Sequence, residues 1–172
     1  MKKLSYRARE VKSLIDYKEN ILGIMKHGID NNDNPQAHLL PRDRWSENLW
    51  VGIRDKVKKH DLKNKMNWQG RNNLTSSQIL CFNLLFPFNK NPSALNSYFT
   101  EIIPDFKEFK EGSLSFEYKD KTLLNEWSPT YVDVFFEWFD KDGTLNAMVV
   151  EFKYCESSFN GCSNNEYNSY VN

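Results

Sequence analysis

The sequence lacks an excess of charge of either sign: 23 Lys and Arg stand against 23 Asp and Glu. That balance removes the simplest electrostatic case for nucleic-acid binding, which rests on a basic domain. Such a case has to come from local charge. Long apolar runs are missing too. No stretch approaches the roughly 20 residues needed to cross a bilayer, and no apolar run follows the basic start Met1-Lys2-Lys3, so a signal peptide is not expected. Cysteine is scarce and odd in number, at Cys81, Cys155 and Cys162. A disulfide scaffold is thereby excluded and a reduced, cytoplasmic setting expected. No Cys-x-x-Cys pair occurs and His27, His38 and His60 are scattered, which argues against a structural zinc site. What is plentiful is aromatic: 12 Phe, 8 Tyr and 5 Trp, enough to build a core and to exclude a disordered chain.

One α/β domain is expected over residues 1–172, with a helical N-terminal region at 1–73 and an αβββ core at 74–172. Apolar residues from Leu4 through Val11, Leu14 and Ile21 to Met25 recur near every 3.6 positions and predict a first helix over that span. A polar loop from Gly28 to Pro35 follows. Trp45, Leu49, Ile53 and Val57 predict a second helix from near Arg42, with a basic end at Lys56 to Lys65. Thr75 is the expected cap of a third helix running through Phe86 to Pro87. Pro92 suits the entry to a short helix over Ala94 to Ile103. Aromatic and β-branched enrichment then predicts strands at Leu114–Tyr118, Tyr131–Phe139 and Leu145 to about Cys155. Asp140-Lys141-Asp142-Gly143 supplies a hairpin turn between the last two.

Asp133 interrupts an otherwise apolar strand, where aspartate is depleted. On the returning strand, Glu151 and Lys153 are two apart and so share a face. The hairpin can bring them to Asp133. Two carboxylates beside a lysine suit Mg²⁺, a hard cation that keeps several waters. Such a cation acidifies water and offsets charge on a phosphodiester, and the lysine can position the nucleophile or stabilise developing charge. On Glu151 and Lys153 alone, the charged face of an ordinary strand is the better reading. Asp133 and the hairpin turn the balance toward a metal site.

The pattern Ser76-Ser77-Gln78 opening an apolar helix, Phe116-Glu117-Tyr118, Tyr131-Val132-Asp133-Val134, then Glu151-Phe152-Lys153-Tyr154-Cys155-Glu156 resembles the PD-(D/E)XK nuclease superfamily. Within it, the pattern is similar to a bacterial group with a Ser-Ser-Gln helix and a Glu-x-Lys-Tyr-x-Glu strand. The resemblance covers about residues 38 to 160 and implies a restriction-endonuclease-like mixed β-sheet core. It implies Asp133 and Glu151 as catalytic metal ligands for Mg²⁺ or Mn²⁺, Lys153 as the catalytic lysine, and the Phe152 carbonyl completing the metal shell. Gln78 and Glu156 match motif positions, and Glu117 is an accessory acid or else a solvated strand residue. DNA is the implied substrate. The superfamily core carries a further helix and strand, and this chain ends at Asn172, so a fragment or a truncated core is expected.

Lys56, Lys58, Lys59, Lys63, Lys65 and Arg71 form a basic stretch that can follow a phosphate backbone or simply be solvated. The sequence therefore points to a Mg²⁺-dependent DNA nuclease, with a homodimer left open. A non-catalytic nucleic-acid-binding or protein-interaction module that retains the fold is the rival, and metal binding separates the two.

Overall fold

The computed structural model describes residues 4–59, 66, 68–119 and 131–155. Helix α1 (Tyr6–Asn20) opens on Ser5, whose hydroxyl accepts from the Ala8 N–H, as N-cap serines do. It stops five residues short of the predicted Met25. Gly23 takes a left-handed φ of +66° and the Ile24 N–H returns to the Lys18 carbonyl, a turn that glycine permits and a helix cannot continue through. Ile21 and Met25, expected on the apolar face, are exposed as a result. Lys18 is fully buried instead, and its ammonium donates to the Ala37 carbonyl at 2.6 Å.

The expected polar loop is a short antiparallel hairpin, β1 (Gly28–Ile29) with β2 (Pro35–Gln36). The second predicted helix is split: a 3₁₀ segment at Arg42–Asn48 precedes α2 (Val51–Lys59). Its predicted face holds, with Leu49, Ile53 and Val57 buried. After the short α3 (Trp68–Arg71), α4 (Ser77–Leu85) begins one residue later than predicted. Its cap is Ser76, which accepts from the Ile79 N–H, and not Thr75. Thr75 gives its own N–H and hydroxyl to the Asn73 carboxamide oxygen and is thereby committed elsewhere. A 3₁₀ segment at Pro92–Leu95 leads into α5 (Asn96–Ile102).

The main sheet contains β3 (Phe106–Phe109), β4 (Ser115–Lys119), β5 (Tyr131–Asp140) and β6 (Leu145–Val150), and every pairing among the described residues is antiparallel. Val134 and Phe135 pair with both β4 and β6, while Trp138 and Phe139 pair with both β3 and β6. Strands β3 and β4 therefore lie end to end along one edge of β5, with β6 along the other. The sheet is three strands wide and β5 is its spine. Its side chains Val134 and Phe136 are fully buried, each stabilising the fold by ~1.5–3 kcal/mol. Helix α4 lies over β4, with Phe82 and Phe116 stacked at 5.1 Å between ring centroids. At the other end, Phe99 of α5 meets Phe106, Phe109 and Phe136. The chain is thus an α/β protein whose helices pack on an antiparallel sheet, compatible with a restriction-endonuclease-like core.

Candidate functional site

Carboxylates stand on β4, on β5 and on the residue that follows β6. In β4 and β5, the pairs Phe116–Val134 and Tyr118–Val132 flank Glu117 and Asp133, which therefore stand opposite each other. In β5 and β6 the last pair is Val134–Val150, and Glu151 follows directly, just past the end of β6. Glu117 and Asp133 are side by side in the sheet, and Glu151 is near enough for its charge to reach Cys81 together with theirs. Like charges directly opposite on neighbouring strands repel, so a purely structural sheet has no reason to set Glu117 against Asp133.

Glu117 reaches this position by a local distortion. Its φ is +48°, in the left-handed region where a non-glycine residue is strained. The consequence is visible on both sides of it. Phe116 stacks on Phe82 of α4, Glu117 accepts a hydrogen bond from the Gln78 amide of α4 at 2.5 Å, and Tyr118 stacks on Phe135. Phe116 and Glu117, neighbours in sequence, both turn toward α4, and the strand's alternation resumes inverted. Gln78 sits in the first turn of α4 because Ser76 caps that helix. Its other amide atom, Oε1, is buried with no hydrogen-bond partner among the described residues.

Strand β6 stops at Val150, and where the next ladder bond would form the Asp133 carboxylate accepts the Phe152 N–H at 2.7 Å. The Lys153 ammonium meets the Glu151 carboxylate at 2.7 Å. This pair is partly exposed, and such pairs are worth at most ~1 kcal/mol, so either group can exchange partners at little cost. The field of the acids is felt at Cys81 of α4. Burial first, then Asp133, Glu117 and Glu151, push its thiol far above the ordinary cysteine range. A thiol held so firmly protonated is no nucleophile.

Asp133, Glu117 and Gln78 line a cavity of about 440 Å³ together with Arg7, Asn73 and Ser77. Among the described residues no three His, Cys, Asp or Glu side chains are grouped closely enough to hold a metal ion alone. Magnesium does not require that: one or two carboxylates, with water and substrate oxygens completing the shell, are its usual protein share. Of the acids, the cavity is lined by Asp133 and Glu117; Asp133 and Glu151 with the Phe152 carbonyl are oxygen donors of the kind such a cation takes.

Of the other predicted site residues, Lys56, Lys58 and Lys59 are exposed on α2. The Arg71 guanidinium lies over the Trp45 ring at 5.6 Å and donates to the Met66 carbonyl. Lys63, Lys65 and Glu156 lie outside the described residues. Sequence reasoning passed over Asn73, and Arg7, which enters the cavity from α1, is legible in the sequence only as part of a basic N-terminal stretch able to follow a phosphate backbone. Neither signals this site locally, because the chain must fold before either reaches the acids.

An α/β domain whose helices pack on an antiparallel sheet is compatible with the restriction-endonuclease-like class. More particularly, the chain is a member of the family described as restriction endonuclease associating with ARP, whose model matches residues 12–171. No curated protein matches it, and no solved structure does. Among the described residues no helix is long and apolar enough to cross a membrane.

Proposed function

We propose that this chain is a divalent-cation-dependent nuclease that hydrolyses DNA phosphodiester bonds. The observation that carries the reading is Glu117 opposite Asp133 on paired strands, with Glu151 and its partner Lys153 just past the end of β6 and the charges of all three acids reaching Cys81. Asp133, Glu151 and the Phe152 carbonyl would hold Mg²⁺ or Mn²⁺. When bound, the cation would supply acidified water and charge compensation for the phosphodiester. Lys153 would leave Glu151 for a phosphate oxygen or the attacking water, a cation placed where negative charge grows. Gln78 fixes the Glu117 carboxylate through the 2.5 Å hydrogen bond, which keeps that acid beside Asp133 without making it a required ligand. Arg7, on the cavity wall, would neutralise a neighbouring phosphate. The family's description supports a restriction-endonuclease role and hence a DNA substrate.

The test is Mn²⁺ calorimetry on the wild type and on Asp133→Ala/Glu151→Ala, followed by plasmid cleavage with Mg²⁺ or Mn²⁺. Binding and cleavage are expected for the wild type and neither for the double variant. Lys153→Ala is expected to bind the cation and to cut ~100-fold more slowly or worse. A folded wild type that binds no cation would refute the reading and leave the non-catalytic module that retains this fold.

A further inference from the structure

A second cavity, about 340 Å³, adjoins the site. Asn73 lines both, and Asn31, Asn32, Gln36, His38 and Arg42 line the second. Its outer wall is the β1–β2 hairpin. The geometry points to this hairpin as a base-reading element, with Asn31 and Asn32 contacting base edges of duplex DNA beside the acids. Its position next to a scissile phosphate rests on the nuclease reading above; duplex recognition itself does not.

The hairpin is built rigid, and its rigidity comes from groups other than the two asparagine side chains. The Asp30 carboxylate accepts from the backbone N–H groups of Asn32 and Asn34, each at 2.9 Å, and from the Gln36 amide at 3.0 Å. Asp33 takes a φ of +60° to close the turn, a conformation aspartate tolerates better than most residues. Gly28 packs against the Leu40 carbonyl so closely that no Cβ would fit. The segment it packs on is tied to the approach of α4: the Leu40 N–H donates to the Asn72 carbonyl, the Asn72 amide donates to the Leu40 carbonyl, and the Leu74 N–H donates to the His38 carbonyl. The ribbon and the wall that leads to Ser76 and Gln78 are therefore held together. Asn31 and Asn32 remain exposed at the tip, and among the described residues their amides make no hydrogen bond.

Two free carboxamides on a fixed two-stranded ribbon match the donor–acceptor edges of bases. The major groove of B-DNA admits such a ribbon, and asparagine pairs in bidentate fashion with adenine. The deep, narrow major groove of A-form RNA does not admit it. Among the described residues the one ring lining the cavity is that of His38, so an extruded base would have no second ring to complete a stack, which disfavours that mode. Arg42 on the same wall supplies a cation for the flanking phosphate, and Asp33 beside the tip can accept from a cytosine amine. The ribbon is short, so it reads one or two base pairs.

A pool of DNA duplexes with a randomised central segment is passed over the full chain with Ca²⁺, an oxygen-liganded cation that neutralises the acids. Retained sequences are then read, beside a matching RNA duplex pool. The wild type is expected to enrich particular bases about tenfold or more at one or two adjacent positions. Asn31→Ala/Asn32→Ala should still retain duplex DNA, with that preference flattened. Asn31→Asp/Asn32→Asp, which keeps the turn and replaces amide donors with acceptors, should shift the preference. Preference unchanged in both variants overturns the proposal. So does a wild type that retains duplexes without preference, retains none, or favours RNA. Cleavage of the same pool with Mn²⁺ is scored separately. Hairpin-dependent preference without cleavage sinks the nuclease reading alone, and cleavage without preference sinks the hairpin alone.

Discussion

His38 stands where α1, the hairpin and the approach to α4 meet. Burial first, then the charges of Arg7 and Lys18, hold its pKa below the ordinary 6.5. The unfolded chain therefore takes up this proton more readily than the folded one. The sign follows: His38's contribution is intact above pH 6.5 and is lost as pH falls from there through its lowered folded value. The melting temperature is expected to fall between pH 7 and pH 5 by more in the wild type than in His38→Gln. Melting curves at half-unit steps measure this, and parallel curves would show that His38 is not the group concerned. Lys18 is the other residue that no periodicity announces. A fully buried lysine on the apolar side of α1 is tolerated because its ammonium finds the Ala37 carbonyl, and the partner lies 19 residues away in sequence.

At the scale of elements, the hairpin is the piece whose loss is easiest to stage. A side chain at Gly28 would collide with the Leu40 carbonyl and the Leu39 Cβ, neither of which is a flexible tip. Gly28→Ala is expected to cost about 1–3 kcal/mol, the usual penalty for overpacking, and to loosen the hairpin from the Leu39–Asn73 bridge. Urea unfolding at constant m-value measures the loss. Other elements show what a linear reading can reach. The α2 face was legible because its apolar spacing matches the helix period, and β5 because aromatic and β-branched residues crowd it. Strand β3 was not. Phe106 and Phe109 are three apart, a spacing that reads as helix, and they are both buried because the register shifts between Phe106 and Glu108. A bulge of that kind leaves no mark in composition. The third helix was legible in body and missed at its cap, since Thr75 and Ser76 are equally good caps on paper and only the fold shows that Asn73 has engaged Thr75.

For the whole molecule, the candidate site divides the same way. Asp133, Glu151 and Lys153 could be read from the sequence, because a charged residue in an apolar strand and a spacing of two are local facts. That Glu117 stands opposite Asp133 depends on the register of β4, and that it turns to Gln78 depends on a left-handed residue within a strand. The joining of the cavity to the hairpin depends on contacts between residues more than thirty positions apart. The sheet's construction also fixes how motion is distributed. Strand β5 is paired on both edges at Val134, Phe135, Trp138 and Phe139, so amide protons on its buried stretch should exchange with deuterium only when the whole chain opens. The Phe152 amide proton differs, because a side-chain carboxylate at 2.7 Å accepts it where the β6 ladder has ended. In ¹⁵N-labelled protein it is expected to resonate far downfield and to move as Mg²⁺ draws on the Asp133 carboxylate, with the Val134 and Phe136 resonances nearly still. A Phe152 signal indifferent to Mg²⁺ at millimolar concentration would count against Asp133 as a ligand. The point where a strand runs out thus furnishes a built-in spectroscopic gauge of the site, readable without any substrate or turnover.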